Sequence, residues 1–464
     1  MRPNWANPSE SRRMERKYFG TDGIRGIANR GEMTGETMMR VGRALGYRLR
    51  QSLQKRPKVL VGKDTRLSGY LFETALASGL CSVGADVQLV GPLPTPGIAF
   101  LTSGMRCDAG VVISASHNPY QDNGIKLFAR DGYKLPDAEE YLLEQLLDDP
   151  ELDAYRPTGV DIGRAWRIDD AAGRYSVFAK SAFPRSLTLE GMKVVIDCAN
   201  GAGYRVAPEV LAELGAEVIP IGVDPNGLNI NDGCGALHPE VMAEAVLATG
   251  ADVGLALDGD ADRCIMCDEK GDVIDGDQIL AMLGCDLLRK SALPQCTVVA
   301  TVMSNLGLDR AIRDAGGRVV RVGVGDRYVV EKMRADGLVL GGEQSGHVIM
   351  RGFATTGDGL VTGLGVLGLM VEREAKLSKL ARCMHKFPQV LRNVNVSQKP
   401  DLNEFDTVQE AMATVRRELG DEGRVVVRYS GTQMMARVMV EGPDLAYVEG
   451  AARRIADTIQ GAVG

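Results

Sequence analysis

The chain has 464 residues, 45% hydrophobic and 25% charged, an ordinary globular composition whose length exceeds the roughly 250–300 residues at which a single core stops growing. Its 54 basic and 61 acidic residues leave a formal charge of −7, which excludes a bulk nucleic-acid binder but leaves room for a local phosphate pocket. The nine cysteines are scattered and match no disulfide framework, so they are read as reduced thiols of a cytoplasmic protein.

In chain order, MRPNWANPSESRRMERK lacks the apolar core of a secretory signal, and Arg12, Arg13, Arg16 and Lys17 are expected to form a solvated tail. Val59–Gly91 then reads as an apolar strand, a small-residue loop, an amphipathic helix and a second apolar strand behind a Gly-Ala turn. The pattern returns in Lys193–Gly222 and Thr297–Gly323, and each copy is expected to be a βαβ unit of a covered parallel sheet. Repeats this far apart imply three related α/β domains and not a solenoid. Gly359–Val371, GLVTGLGVLGLMV, is too short and too glycine-rich to span a bilayer and reads as a buried helix. After Arg382, strands around Val390 and Val425–Val440 alternate with two amphipathic helices, which predicts a small C-terminal α+β domain. Seams near Gly173, Gly271 and His385 divide the chain into 1–172, 173–270, 271–384 and 385–464.

Four loops carry candidate chemistry. The apolar run GVVI ends in SASHNP, so Ser116 and His117 stand at the carboxyl end of a strand, where open α/β sheets bind ligands. VGLAL ends in Asp258, Asp260 and Asp262, three hard carboxylates that favour an oxygen-loving cation such as Mg²⁺ or Ca²⁺. An EF-hand is rejected: Glu269 falls at the twelfth position, but Arg263 replaces the sixth-position glycine and the flanks read as strands. Cys264 and Cys267 form a CxxC with no partner pair, so they read as strand residues. Glu343, Ser345 and His347 on GGEQSGHV can hydrogen-bond sugar hydroxyls. In VVVRYSGTQMMAR, Arg428 and Arg437 flank Ser430, Gly431 and Thr432, a set of guanidinium forks, hydroxyls and backbone amides suited to a phosphate.

With FGTDGIRG, VGKDTRLSG, SASHNP, NGIK, DGDADR, GVGDRYV and GEQSGH in this order, the chain resembles the α-D-phosphohexomutases from about Tyr18 to its end. The resemblance implies three mixed or parallel-sheet α/β domains and a C-terminal α+β domain around a central cleft. It also implies a phosphorylated Ser116 and a Mg²⁺ held by Asp258, Asp260, Asp262 and the phosphoserine, one ion per chain. Lys126 falls on the family's general acid/base position, Arg25 and Arg263 become candidates for neutralising the transferring phosphoryl group, and His347 is a second proton handler. His117 is expected to orient the serine loop. The implied reaction interconverts glucosamine 6-phosphate and glucosamine 1-phosphate through glucosamine 1,6-bisphosphate, feeding UDP-N-acetylglucosamine and cell-wall synthesis. That bisphosphate, or glucose 1,6-bisphosphate, would serve as activator. The partner is then a small amino-sugar phosphate, with no nucleic acid, no membrane span and room for a homodimer.

Gln344 and the GVGDRYV form agree with the amino sugar. The phosphate loop departs from the usual RPSGTEP: Tyr429 and Met434 stand for prolines and Gln433 for glutamate, which is expected to loosen the loop and weaken its hold on an ammonium group. A phosphoglucomutase or phosphomannomutase, a hydrolase passing the group to water, and a non-catalytic sugar-phosphate sensor are the rival readings.

Overall fold

The computed structural model describes residues 17–20, 23–430 and 434–463. Among the described residues eighteen strands form four sheets. The first contains β1 (Ile24–Ile27), β2 (Lys58–Lys63), β3 (Asp86–Pro92), β4 (Ala109–Ile113), β5 (Asp122–Ala129) and β6 (Ala165–Arg167), in the order β1-β5-β4-β2-β3-β6. The second contains β7 (Lys193–Asp197), β8 (Glu217–Ile221), β9 (Val253–Leu257), β10 (Cys264–Asp268) and β11 (Val273–Ile274), in the order β11-β10-β9-β7-β8. The third sets β12 (Thr297–Thr301), β13 (Arg318–Val322), β14 (Leu340–Gly342) and β15 (Val348–Met350) in the order β13-β12-β14-β15. β16 (Gln389–Asn395), β17 (Arg424–Tyr429) and β18 (Met435–Glu441) make the fourth, an antiparallel sheet with β18 in the middle.

All three expected βαβ units form. β2 with β3, β7 with β8, and β12 with β13 are parallel pairs joined through the helices Ser68–Ser82, Val206–Glu213 and Leu306–Asp314. Antiparallel β5, β10 and β15 make each sheet mixed. Gly359–Glu372 is a buried helix, as its composition demands, and Gly363 lets it press on the second sheet: a Cβ there would lie 2.3 Å from Leu255 Cδ2. Gly173 lies inside the helix Ala171–Lys180, and Gly271 lies in the turn between the paired strands β10 and β11.

The largest apolar core runs through all of the first three units, from Leu60 and Ile98 through Val194 and Leu255 to Val298 and Leu364. The C-terminal unit keeps its own core, built from Val394, Val438 and Val440 against Val415, Val448 and Ile455. A continuous core couples the first three sheets, whereas the fourth has a separate core and is tied to them by hydrogen bonds. Asn305 Nδ2 donates to the Phe387 carbonyl at 2.9 Å and its Oδ1 accepts the Phe387 N–H at 3.0 Å. Buried Glu441 accepts from Arg424 and from the Leu306 N–H. Of the expected tail, Lys17 is exposed but not merely solvated: its ammonium donates to Asp148 at 2.7 Å and its backbone N–H to Glu144 at 2.7 Å. Arg12, Arg13 and Arg16 lie outside the described residues.

Candidate active site

The carboxyl ends of β2, β3 and β4 converge, as the topology of parallel strands requires. β4 delivers Ser116, which is 2% exposed and held at φ 52°, a left-handed conformation uncommon for a side-chain-bearing residue and costing of order 1–3 kcal/mol. Its carbonyl accepts from Arg66 Nη2 at 2.9 Å and from Asn231 Nδ2 at 2.9 Å, and its N–H donates to Ser114 Oγ at 2.9 Å. Arg66, fully buried after β2, also donates to the carbonyls of Asn118, Pro119 and Asp122 and pairs with Asp64 at 2.8 Å. One guanidinium therefore gathers the serine loop.

The hydroxyl of Ser116 donates to Asp258 Oδ2 at 2.6 Å. Asp258, Asp260 and Asp262 leave β9 together, all buried, with one oxygen from each within 4.8 Å of the others. Asp260 Oδ2 accepts from Thr95 Oγ1 at 2.7 Å and Lys126 Nζ at 2.8 Å, and Lys126 also reaches Asp262 at 3.2 Å. Asp260 Oδ1 is buried without a hydrogen-bond partner, and Asp262 Oδ1, likewise buried, has His347 Nδ1 at 3.4 Å in a geometry too poor for a hydrogen bond. Two orphaned carboxylate oxygens in an all-oxygen cluster fit a hard divalent cation, and the residues present can hold Mg²⁺. Burial, then the neighbouring Asp262 and Asp260, push the Asp258 carboxyl up to about 7. Burial also raises Asp262, but its charged neighbours, Lys126 foremost and then Arg263, outweigh it and hold that carboxyl well below the usual range. Gly259 lies so close to the serine loop that a Cβ would stand 2.6 Å from the Ser116 carbonyl oxygen.

His117 Nδ1 lies 3.4 Å from Ser116 Oγ; burial, then Arg263 and Arg25, push its imidazole down to about 4, so it is neutral near pH 7. Arg263 places Nε 4.0 Å from both Asp258 and Asp262, and Arg25 is exposed on β1. His347 is buried between Asp262 (3.4 Å) and Asp326 (3.6 Å) and accepts the Gly357 N–H on Nε2 at 3.1 Å. Burial lowers its pKa, yet Asp262, Asp326 and Glu343 outweigh this and push it up to about 9. These two observations conflict, because a cationic imidazole has no acceptor; the Gly357 geometry decides for a neutral ring with its proton on Nδ1 facing Asp262.

The loop after β14 holds Glu343 through the Gly325 N–H at 3.1 Å, and Ser345 Oγ stands 3.5 Å from the same carboxylate. Gln344 turns the other way: its amide nitrogen donates to Asp275 at 3.3 Å and to Gln389 at 3.4 Å, at the junction with the fourth unit. Arg428 and Arg437 sit directly opposite on β17 and β18, and each has a buried Nε without a hydrogen-bond partner. Like charges facing across a ladder repel, so the pair calls for an anion. Ser430 is buried beside them, and its carbonyl accepts from Lys399 at 2.7 Å; Gly431, Thr432 and Gln433 lie outside the described residues. Arg66, Asn231, Thr95 and Lys399 are supports that the motif reading passed over, although VGKDTRLSG contains the first.

Comparison with known proteins decides the family. The four phosphoglucomutase/phosphomannomutase domain descriptions match in order: alpha/beta/alpha domains I, II and III over residues 16–153, 175–271 and 275–387, and the C-terminal domain over 391–458. The phosphoglucosamine mutase of Anaeromyxobacter dehalogenans is 57% identical over 459 residues, covering 97% of this chain and 100% of that one. The chain belongs to the phosphoglucosamine mutases. The phosphoglucosamine mutase of Syntrophotalea carbinolica is 55% identical over 97% of this chain and 99% of its own. Among solved structures, a phosphoglucomutase/phosphomannomutase family protein from Burkholderia thailandensis superposes with a TM-score of 0.79 at 26% identity, covering 96% and 97% of the two chains. N-acetylphosphoglucosamine mutase of Aspergillus fumigatus, solved with GlcNAc-6P and magnesium, shares the fold with a TM-score of 0.67 at 18% identity over 97% and 96%. The protein is thus an isomerase of the phosphohexomutase class. Among the described residues no helix is long and apolar enough to cross a membrane.

Proposed function

We propose that the chain interconverts glucosamine 6-phosphate and glucosamine 1-phosphate through a phosphoryl group carried on Ser116. The observation that carries this reading is the Ser116 hydroxyl, held in a left-handed conformation and aimed at a carboxylate cluster with two orphaned oxygens. Asp258, Asp260 and Asp262, with a phosphoserine oxygen, would hold Mg²⁺, which when bound supplies a Lewis acid that draws charge from the phosphoryl oxygens.

In the forward half-reaction the sugar O1 attacks phosphorus, the O1–P bond forms and the Ser116 Oγ–P bond breaks. Lys126, whose ammonium reaches Asp260 and Asp262, handles the proton exchanged between the sugar hydroxyl and Ser116 Oγ. Arg263 and Arg25 offset charge on the group in transit, and His117 fixes the hydroxyl's direction. The resulting glucosamine 1,6-bisphosphate turns over and returns its O6 phosphoryl group to Ser116. Arg428, Ser430 and Arg437, with Gly431 and Thr432, hold whichever phosphate is not being transferred, while Glu343 and Ser345 bind sugar hydroxyls. His347, neutral and turned to Asp262, positions the metal loop. We place the enzyme in the cytoplasm, with units 1–172, 173–270, 271–384 and 385–464 each lending one loop.

The test is intact-protein mass spectrometry with peptide mapping around Ser116, before and after incubation with Mg²⁺ and glucosamine 6-phosphate. One phosphoryl group on Ser116, lost to and regained from the amino-sugar phosphate, is the expected result. Comparable exchange with glucose or mannose 1-phosphate would reassign the sugar, and release of inorganic phosphate at the rate of substrate loss would mean a hydrolase. A chain that binds the sugar phosphate but never carries phosphate would be a sensor.

A further inference from the structure

Away from these loops, two thiols share one pocket. A cavity of about 400 Å³ is lined by Cys285, Cys383, Asp286, Arg289, Arg373 and Lys379, with apolar walls behind them. Cys285 lies on the helix Gly276–Arg289, and Cys383 ends the short 3-10 turn Ala381–Cys383 that packs on that helix. The turn is the last element before β16, so the pocket sits where the third unit hands the chain to the fourth.

Most of the other cysteines are shielded. Cys107 and Cys234 have thiols pushed up to about 11 by burial and Cys264 and Cys267 to about 12, and burial also holds Cys198 well above the ordinary thiol value, so all five are poor nucleophiles. Cys383 is exposed and Cys285 half-buried. The S–H of Cys383 stabilises the thiolate of Cys285 and lowers its pKa against the opposing effect of burial, while the Cys383 thiol is raised. The pair thus releases its first proton readily and its second reluctantly. The cavity is lined by Arg289, Arg373 and Lys379 against Asp286, which pairs with both arginines at 2.8 Å; Asp286 and Asp314 oppose ionisation of Cys285, and Lys379 adds a further cation to the lining.

We infer that Cys285 and Cys383 form a redox-active dithiol, oxidised to an internal disulfide by small anionic disulfides of the glutathione type. The first thiolate attacks one sulfur of the small disulfide, a mixed disulfide forms, and the departing thiolate takes up a proton. The second thiol then loses its proton and attacks the mixed disulfide, expelling the second small thiol. Two electrons and two protons pass from the cysteine pair to the reagent, which leaves as two thiols. The new bond would staple the helix Gly276–Arg289 to the turn that feeds the fourth unit.

The full-length protein, incubated with glutathione disulfide and digested with trypsin without reductant, tests this. The expected product is Gly271–Arg289 joined to Cys383–Lys386, two hydrogens lighter than the separate peptides and released by a reductant. In Cys383→Ser the same treatment should leave a lasting glutathione adduct on Cys285, because the resolving thiol is gone. A lasting adduct on Cys383 or Cys296 in the unaltered chain, with no joined peptide, would overturn the proposal.

Discussion

At the scale of single residues, Ser116 and His117 divide their work according to environment. Ser116→Ala is expected to lower turnover by about 10⁴-fold or more with an unchanged thermal midpoint, because it removes the group that carries phosphate and no packing. Turnover near that of the unaltered enzyme would rule out the phosphoserine. His117, held down at about 4, stays neutral and does not titrate between pH 5 and 8. His117→Asn should therefore reduce kcat by about 10-fold, the worth of one hydrogen bond, while the pH–rate profile keeps its shape. Loss of one limb of that profile would show that His117 titrates during turnover.

At the scale of elements, catalysis depends on loops from different sheets approaching to van der Waals distance. Gly259 is where the metal loop after β9 meets the serine loop after β4, and its would-be Cβ meets a backbone oxygen that Arg66 and Asn231 hold in place. Gly259→Ala is expected to separate the two loops and cut kcat by about 100-fold, the usual cost of displacing catalytic groups by an ångström, with circular dichroism unchanged. Full activity in that variant would show that the two loops tolerate a Cβ between them without losing catalytic alignment. The opposed arginines of β17 and β18 belong to this scale as well. Neither side chain is satisfied within its own sheet, so the element is built for a ligand.

At the scale of the whole molecule, a continuous core binds three units and a hydrogen-bonded joint attaches the fourth. Within that joint, burial and then Asp275 push the Asp277 carboxyl up to about 7, despite the Asn305 N–H that donates to it at 2.7 Å. The unfolded chain releases this proton near pH 4 and the folded chain holds it to about 7. Between those values the folded state binds more protons, so stability falls as pH rises, and above about 7 the penalty reaches on the order of 4 kcal/mol. Asp277→Asn keeps an oxygen for the Asn305 N–H and loses the charge. Its thermal midpoint relative to the unaltered protein should rise from pH 5 to pH 8. A difference that does not change with pH would show that Asp277 is ionised throughout.

Period and spacing were enough for the three βαβ units, the buried helix Gly359–Glu372 and the loops bearing Ser116 and the aspartates, because alternation of apolar runs with glycine-rich turns is local information. Three carboxylates at alternate positions announce a cation for the same reason. Arg66, Asn231, Thr95 and Gln344 were not legible in their roles, since each acts on a residue tens to more than a hundred positions away. Gln344 agrees with the amino-sugar form of the motif, and the structure adds that its amide engages Asp275 and Gln389. The sequence by itself determined which chemical groups exist and which strand ends carry them. Only the tertiary structure decided which carbonyls are gathered by a buried guanidinium, which carboxylate oxygens remain orphaned and which thiols line a common cavity, because those depend on distances that close only when separate sheets pack.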